Sequence, residues 1–567
     1  MKMSSVRSAL SGFVPKAYTA LREGYGLRDL RADAIAGLTV AIVALPLAMA
    51  LAIASGATPE KGLHTAIIAG FLISALGGSR VQIGGPTAAF IPVVFVVIEK
   101  FGYGGLILCT LLAGLMLIAA GLLKLGTLMK YMPQPVITGF TAGIAVSIFS
   151  SQIKDALGLR MGQVPAEFFA RWQAYAEHLS SAQSAAIVLT ALGLGTILIL
   201  RRWRPQWPGF LIAPVLCTLA CTGFALPTDT IGSRFGALPS SLPDFQIPHI
   251  PLERTRELLP SAFTIAFLAG VESLLSAVVA DGMTGGRHRS NMELVAQGVA
   301  NSASALFGGL PATGAIARTA TNVRAGARTP MAGMLHAGFL LLFMLLLAPL
   351  MRYVPLAGLA AILLVVAWNI SEVEAFRHTL SAPKGDRLVL LLTFFLTVFF
   401  DLTLAIEVGV VVAAFVFMFR MADAVQIQAG HDAEDDESNT DPSQRARLSK
   451  GAEAFRISGP LFFGAANRLD DLLDQFRVPP KVFILRMRLV PVIDASGVHA
   501  LRALMERCQR RGIVLIVSGL QPQPRRVLGQ MHLQPREGTL HIVPDYDCAI
   551  ALAGELIAGT ATADQPS

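Results

Sequence analysis

Two short stretches, far apart in the chain, carry the same arrangement of residue types. One is Gln82-Ile83-Gly84-Gly85-Pro86-Thr87-Ala88-Ala89, the other Gly308-Gly309-Leu310-Pro311-Ala312-Thr313-Gly314-Ala315. Each joins a glycine pair to a proline and then to small side chains. This predicts a helix that starts afresh at Pro86 and at Pro311, since proline loses no hydrogen bond in a first turn. A helix start presents unpaired backbone N–H groups and the positive end of the helix dipole, and small residues let a ligand reach that backbone. Two such starts facing each other form a site for a negative charge. The candidate anion-binding residues are Thr87, Ala88 and Ala89 on the first start and Gly314 and Ala315 on the second. Arg318, about two turns beyond Pro311, adds a full positive charge. An arginine among apolar residues marks a pathway or pairs with an acid; the alternatives are a side chain reaching back to the cytoplasm, and ordinary loops in place of the breaks.

A third element supplies an acid. The run from Ser261 to Asp281 is apolar except for Glu272 near its middle, with Ser276 four residues on and hence on the same face. Burial raises a carboxyl pKa and a nearby cation lowers it. With Arg318 close by, Glu272, assisted by Ser276, is expected to carry a proton or coordinate a cation alongside the anion. A permanent Glu272–Arg318 ion pair is the competing reading. Asp281 closes the run and reads as a helix-end residue only.

The elements that must position these groups are membrane spans. The 567 residues are 53% apolar and only 15% charged, with a mean hydropathy of +0.59, whereas a soluble domain carries about 25% charge. Segments 106–123 and 388–400 are near-continuous apolar runs, suited to a hydrocarbon core roughly 30 Å thick. The +8 formal charge sits at the ends of apolar runs, as in cytoplasmic loops, which argues against nucleic acid. Cys109, Cys217, Cys221, Cys508 and Cys548 form no CxxC pair and no disulfide framework. No cofactor, metal cluster or catalytic constellation is indicated, and the chain does not read as an enzyme. Lys2, Arg7, Lys16, Arg22, Arg28 and Arg31 make a basic lead-in without a signal-peptide pattern.

Fourteen candidate spans begin near Ala32, Gly62, Pro86, Gly105, Gln134, Ser184, Gly209, Pro260, Met292, Pro311, Met331, Pro355, Asp386 and Leu402. Even parity and the clusters Arg201–Arg202–Arg204, Arg287–Arg289 and Arg324–Arg328 put both termini in the cytoplasm, across the cell (inner) membrane. The third and tenth spans are too short to cross as helices, and each ranks third in its half of seven. Short, Gly/Pro-interrupted spans at matching ranks point to a 7+7 inverted-repeat transporter with two half-helices and the site between them. The expected division is a cytoplasmic segment 1–31, a transmembrane domain 32–421, an acidic flexible linker 422–450 and a soluble domain 451–560. In that last part, strands over 454–462, 481–488, 513–517 and 541–543 alternate with helices over 496–510, 525–531 and 546–557, a small α/β fold. Asp494-Ala495-Ser496-Gly497 opens its first helix, with Ser496 as N-cap or as a regulatory serine.

These residues resemble the sulfate permease (SulP) family of anion transporters. The resemblance rests on Gly56-Ala57-Thr58-Pro59-Glu60-Lys61-Gly62-Leu63-His64, on the two breaks, on Val271-Glu272-Ser273-Leu274-Leu275-Ser276 and, in the tail, on Val492-Ile493-Asp494-Ala495-Ser496-Gly497. It implies a core domain moving against a scaffold domain in an elevator-like displacement, frequent homodimers, and a C-terminal STAS domain. In that domain the serine matching Ser496 can be phosphorylated, with Asp494 beside it, and a cytosolic partner can bind. The match places Glu272 where the sodium-coupled bicarbonate branch has an aspartate, and Ile316 where that branch offers a hydroxyl. Losing an oxygen ligand and lengthening the acid both disfavour a hard-cation site, so proton coupling or exchange is preferred to sodium. Ala317 replaces the serine of animal members, against chloride selectivity. The expected function is secondary active transport of sulfate, bicarbonate or a dicarboxylate, by symport or exchange. A nucleobase permease of the same fold, and an anion channel or sensor, are the rivals.

Overall fold

The architecture is that of a computed structural model, which describes residues 12–127, 132–162, 164–205, 207–236, 245, 252–400, 402–429, 448–462, 469, 473 and 478–563. Contacts divide the chain into two units, Met1–Ala413 and Ala414–Ser567, with the division inside the last long apolar helix, Leu402–Asp423.

The first unit is helical. Among the described residues, eight helices are long and apolar enough to cross a membrane: Leu27–Ala54, Ala88–Leu122, Gln134–Leu157, Ser184–Trp203, Thr255–Thr284, Met331–Met351, Leu356–Leu380 and Leu402–Asp423. Shorter helices Pro59–Leu76, Gly209–Gly223, Ser290–Leu306, Ile316–Arg324 and Lys384–Phe399 fill the remaining expected positions. The third and fourth expected spans are one helical run, Ile91–Leu122, interrupted at Gly102, whose φ of 71° only glycine adopts readily.

Helices Leu27–Ala54, Pro59–Leu76, Ile91–Leu122, Leu252–Thr284, Ser290–Leu306 and Met331–Met351 pack on one another, while Gln134–Leu157, Ser184–Trp203, Gly209–Gly223, Leu356–Ile370 and Lys384–Phe399 form a second group. Small residues set the spacing within the first group. A Cβ on Gly298 would stand 2.5 Å from the Gly114 carbonyl oxygen, and one on Gly114 would stand 2.7 Å from that of Gly298. The two backbones touch because neither residue has a side chain, the usual basis of tight helix packing in lipid.

The second unit holds a five-stranded sheet. Strands β3 (Gln426–Ala429), β4 (Ala452–Ser458), β5 (Val482–Leu489), β6 (Val514–Ser518) and β7 (Leu540–Val543) lie in that order; β3 is antiparallel to β4 and the rest are parallel. Strand alternation sends Phe483 and Leu485 to one face, with Val498, Leu501, Leu504 and Cys508 of helix Ala495–Arg510. It sends Val482 and Ile484 to the other, with Ala549 and Ala553. Burial pushes the Cys508 thiol up to about 12, so it stays a packed, uncharged side chain. Strand β3 falls within the segment expected to be linker. Its backbone is paired to β4 from Gln426↔Ser458 to Ala429↔Phe455. The acidic stretch 430–443 lies outside the described residues.

Candidate functional site

The two Gly/Pro breaks meet. Gly84–Gly85 (β1) and Thr313–Gly314 (β2) form an antiparallel two-stranded ribbon in which Gly84 pairs with Gly314 and Gly85 with Thr313. The Ala315 N–H donates to the Ile83 carbonyl at 2.9 Å. Beyond β1, Thr87 remains extended (φ −125°, ψ 157°), a 3-10 turn follows at Ala88–Phe90, and the helix begins at Ile91. Beyond β2, Ala315 is extended and helix Ile316–Arg324 follows.

The helices therefore begin later than the prolines suggested. Pro86 and Pro311 lie ahead of the helices: Pro86 directly follows the paired Gly84–Gly85, and Thr313–Gly314, which pair with those glycines, lie between Pro311 and its helix. Both glycines leave room for side chains of the site. A Cβ on Gly314 would stand 1.5 Å from Gln82 Nε2, and one on Gly85, whose φ is 154°, would stand 2.4 Å from Arg318 Nη1.

Side chains hold the ribbon in place. Gly314 N–H donates to Ser273 Oγ at 2.9 Å, Ser273 Oγ and Thr313 Oγ1 are 2.7 Å apart, and Gln82 Nε2 donates to the Ser273 carbonyl at 3.1 Å. On the opposite side Ile83 N–H donates to Thr319 Oγ1 at 3.1 Å, and Ser276 Oγ donates to the same oxygen at 3.0 Å. Ser276 thus helps to secure the first break, and no hydrogen bond joins it to Glu272. The residues that sequence reasoning passed over, Gln82, Ser273 and Thr319, are all buried polar side chains. Their signal was a hydroxyl or amide within apolar surroundings next to a break.

The two ionisable groups are also there, with partners other than those expected. Glu272 Oε2 accepts from Thr87 Oγ1 at 2.9 Å. Arg318, 5% exposed, donates from Nη2 to the Pro86 carbonyl at 2.9 Å. No ion pair joins Glu272 to Arg318 among the described residues, so the permanent pair considered above is not formed. Helix Leu252–Thr284 brings Glu272 to Thr87, while the short helix Ile316–Arg324 turns Arg318 back toward β1.

Arg318 Nη1 is buried without a partner. A buried donor lacking an acceptor costs about 1–3 kcal/mol, more for a charged group, and an anion at that atom would remove the cost. The 3-10 start at Ala88 and Ala89, both 5% exposed, contributes amides that have no acceptor within their own helix. The arrangement can hold a compact anion among a guanidinium and backbone N–H groups, with a carboxyl one hydrogen bond from the first start. No group of three or more His, Cys, Asp or Glu suited to a metal occurs among the described residues.

In the second unit, Asp494 is the N-cap of helix Ala495–Arg510, its Oδ1 accepting from the Gly497 N–H at 2.8 Å. Ser496, expected as a possible cap, stands in the helix's first turn and is half-buried. The carboxylate reaches the orphan amide from the residue before the helix, where capping geometry places it.

Comparison with known proteins identifies the family and the fold. The sequence model of the sulfate permease family matches residues 30–393, and that of the STAS domain matches 445–549. The chain is 43% identical over 527 residues to YvdB of Bacillus subtilis, whose name makes it a candidate sulfate transporter, covering 93% of this chain and 98% of the relative. It is 30% identical over 534 residues to the bicarbonate transporter BicA of Synechocystis, covering 92% and 93% respectively. The fold matches that of the murine anion transporter Solute Carrier 26 family member A9 in its inward-facing state, with a TM-score of 0.85 over 97% of this chain and 95% of that one, at 18% identity.

Proposed function

The chain belongs to the sulfate permease family, a multi-pass membrane transporter with a C-terminal STAS domain and not an enzyme, and from that premise we propose that it is a secondary active transporter of a small oxyanion. Sulfate and bicarbonate are the first substrates to test, with a dicarboxylate third. The observation that carries this reading is the β1–β2 ribbon, which joins the two breaks, with Gly85 of β1 against the buried, unpaired Nη1 of Arg318. The proposed anion-binding set is Thr87, Ala88, Ala89, Gly314, Ala315 and Arg318. Because the Gly314 and Ala315 N–H groups already donate to Ser273 Oγ and the Ile83 carbonyl, those two residues shape the pocket, and the donors offered to the anion are the amides of the first start and Nη1 of Arg318.

Glu272 is the coupling group. Its carboxylate is bonded to Thr87, which opens the first half-helix. A proton on Glu272 removes a negative charge beside the anion, so protonation and anion binding favour each other by reciprocal linkage. Proton symport, or exchange against another anion, follows more naturally than sodium coupling, because Ile316 offers no oxygen to a hard cation.

Antiparallel pairing of breaks with equal rank in the two halves supports a 7+7 inverted repeat, and the two helix groups support a core that moves against a scaffold in an elevator-type cycle. The domain division 32–421 and 451–560, a homodimer in the inner membrane, cytoplasmic termini, and regulation through Asp494, Ser496 and a cytosolic partner complete the proposal. The direct test is uptake of radiolabelled sulfate, bicarbonate and succinate into proteoliposomes under imposed proton or sodium gradients. Accumulation of at least one anion, driven by the proton gradient or by a counter-anion, is expected. Failure to accumulate any of them would remove the transport reading.

A further inference from the structure

We propose that Asn301 is a positioning residue for the anion site, fixing the Ala312 peptide and through it the placement of Gly314 and Ala315. The role at the site rests on the anion-binding reading above; the grip on Ala312 is geometric.

Helix Ser290–Leu306 carries Glu293, Gln297, Asn301 and Ser304 at spacings of four, four and three, hence along one face. All four are 0% exposed. Glu293 Oε2 accepts from the Gly78 N–H at 2.8 Å and its Oε1 from Gln297 Nε2 at 2.9 Å. Asn301 Nδ2 donates to the Gln297 carbonyl and to the Ala312 carbonyl, both at 2.8 Å, and Asn301 Oδ1 accepts from the Ala312 N–H at 2.8 Å. Ser304 Oγ donates to the Leu310 carbonyl at 2.7 Å, while the Leu310 N–H donates to Thr65 Oγ1 at 2.6 Å.

The second break is thus bonded at every other residue: Leu310 by Ser304 and Thr65, Ala312 by Asn301, and Gly314 by Ser273. That is the period of an extended strand, with side chains in place of a neighbouring backbone. The Asn301 amide alone takes both polar groups of one peptide residue, as a paired strand would. Its orientation is fixed by its partners, two carbonyls facing nitrogen and one N–H facing oxygen. A buried polar residue in a membrane helix often lies on a transport path. Here all three bonds of Asn301 end on backbone, so it acts through Ala312 and not on the anion itself.

Asn301→Asp tests this with almost no change of shape, because it replaces a donor by an oxygen facing two carbonyls. Full-length protein in proteoliposomes would be followed by amide hydrogen exchange and by the concentration dependence of radiolabelled sulfate and bicarbonate uptake. Exchange in peptides covering 308–316 should rise about tenfold or more, with peptides from helix Met331–Met351 and from the STAS domain unchanged. KM for the transported anion should rise by about tenfold, with a smaller change in maximal rate. If N301D does not assemble, Thr65→Val, which removes the acceptor for Leu310 N–H, should give the same local rise at smaller size.

Unchanged exchange over 308–316 would overturn the assignment. So would an equal rise throughout the membrane unit, which signals general loosening, or a local rise with unaltered KM. Were the unmodified chain to take up neither anion, the substrate reading would be at fault, while the exchange data would still decide whether Asn301 holds Ala312.

Discussion

The two breaks have matching sequences, yet the structure holds them by different chemistry. At the end of the first, ionisable side chains take the last two residues before the half-helix: Arg318 bonds the Pro86 carbonyl and Glu272 the Thr87 hydroxyl. The second is held by Tyr103 at Gly308, Thr65 and Ser304 at Leu310, Asn301 at Ala312 and Ser273 at Gly314, all uncharged. Neutral bonds between buried groups keep their strength whether or not a proton or an anion is present. Charged ones do not, because a buried charge interacts strongly with any other charge brought near it. The comparison predicts that the second break is a fixed frame and that the end of the first, at Pro86 and Thr87, responds to charge. Pseudo-symmetric placement of the backbone therefore does not mean symmetric duty.

The largest expected effect falls on Arg318, which serves both breaks by sitting on the second half-helix and bonding the first. Arg318→Ala should weaken sulfate or bicarbonate binding by about 10- to 100-fold, since hydrogen bonds to charged groups contribute about 1.5–3 kcal/mol. Calorimetric titration of purified protein reads this directly, and an unchanged isotherm would take Arg318 out of the site. Next comes Glu272→Gln, which can still accept from Thr87 but cannot ionise. Proton-driven accumulation should vanish while anion binding becomes insensitive to pH and stays at the level the native chain reaches in acid. If the variant still concentrates the anion when only a proton gradient is imposed, Glu272 is not the coupling group.

Much of this was open to sequence reasoning, for reasons that particular residues make plain. Helix positions could be read because apolar runs and their Gly/Pro interruptions are local signals, and Gly84-Gly85-Pro86 and Gly308-Gly309-Leu310-Pro311 marked the breaks themselves. Partners were not legible. Spacing puts Glu272 on a helix face but gives no rotation of that helix relative to its neighbours, so Thr87 in place of Arg318 could not have been chosen. Local propensity favours the prolines in helical first turns, whereas the ribbon pairs Gly84–Gly85 with Thr313–Gly314 and the helical turns start only beyond Thr87 and Ala315. Strand β3 was missed for a similar reason. Its four residues follow an apolar span directly and precede an acidic stretch, and only the distant edge of β4 makes them a strand.

Smaller effects separate frame from sensor. Ser273→Ala removes the acceptor of Gly314 N–H, and Thr319→Val removes that of Ile83 N–H. Each leaves a buried donor unsatisfied, at a cost of about 1–3 kcal/mol. If the second break is a fixed frame, Ser273→Ala should raise KM equally at every pH. Thr319→Val, acting on the charge-sensing side, should raise it by an amount that varies with pH. Identical pH profiles for the two variants would dissolve the distinction between the breaks.

The smallest effect lies in the STAS domain, where Asp494 caps helix Ala495–Arg510 through the Gly497 N–H. Asp494→Ala should cost about 1 kcal/mol, the usual value of an N-cap. Hydrogen exchange on the full chain should show faster exchange in the first turn of that helix, with its last turn unaffected. The carboxylate also bears on Ser496. A phosphate there would meet the positive end of the helix dipole, worth about 0.3–1 kcal/mol, and would simultaneously face the Asp494 charge, which opposes it. Ser496→Asp should therefore stabilise the helix start more in the Asp494→Asn background than in the native chain. Equal increments in the two backgrounds would show that Asp494 does not modulate a charge at Ser496.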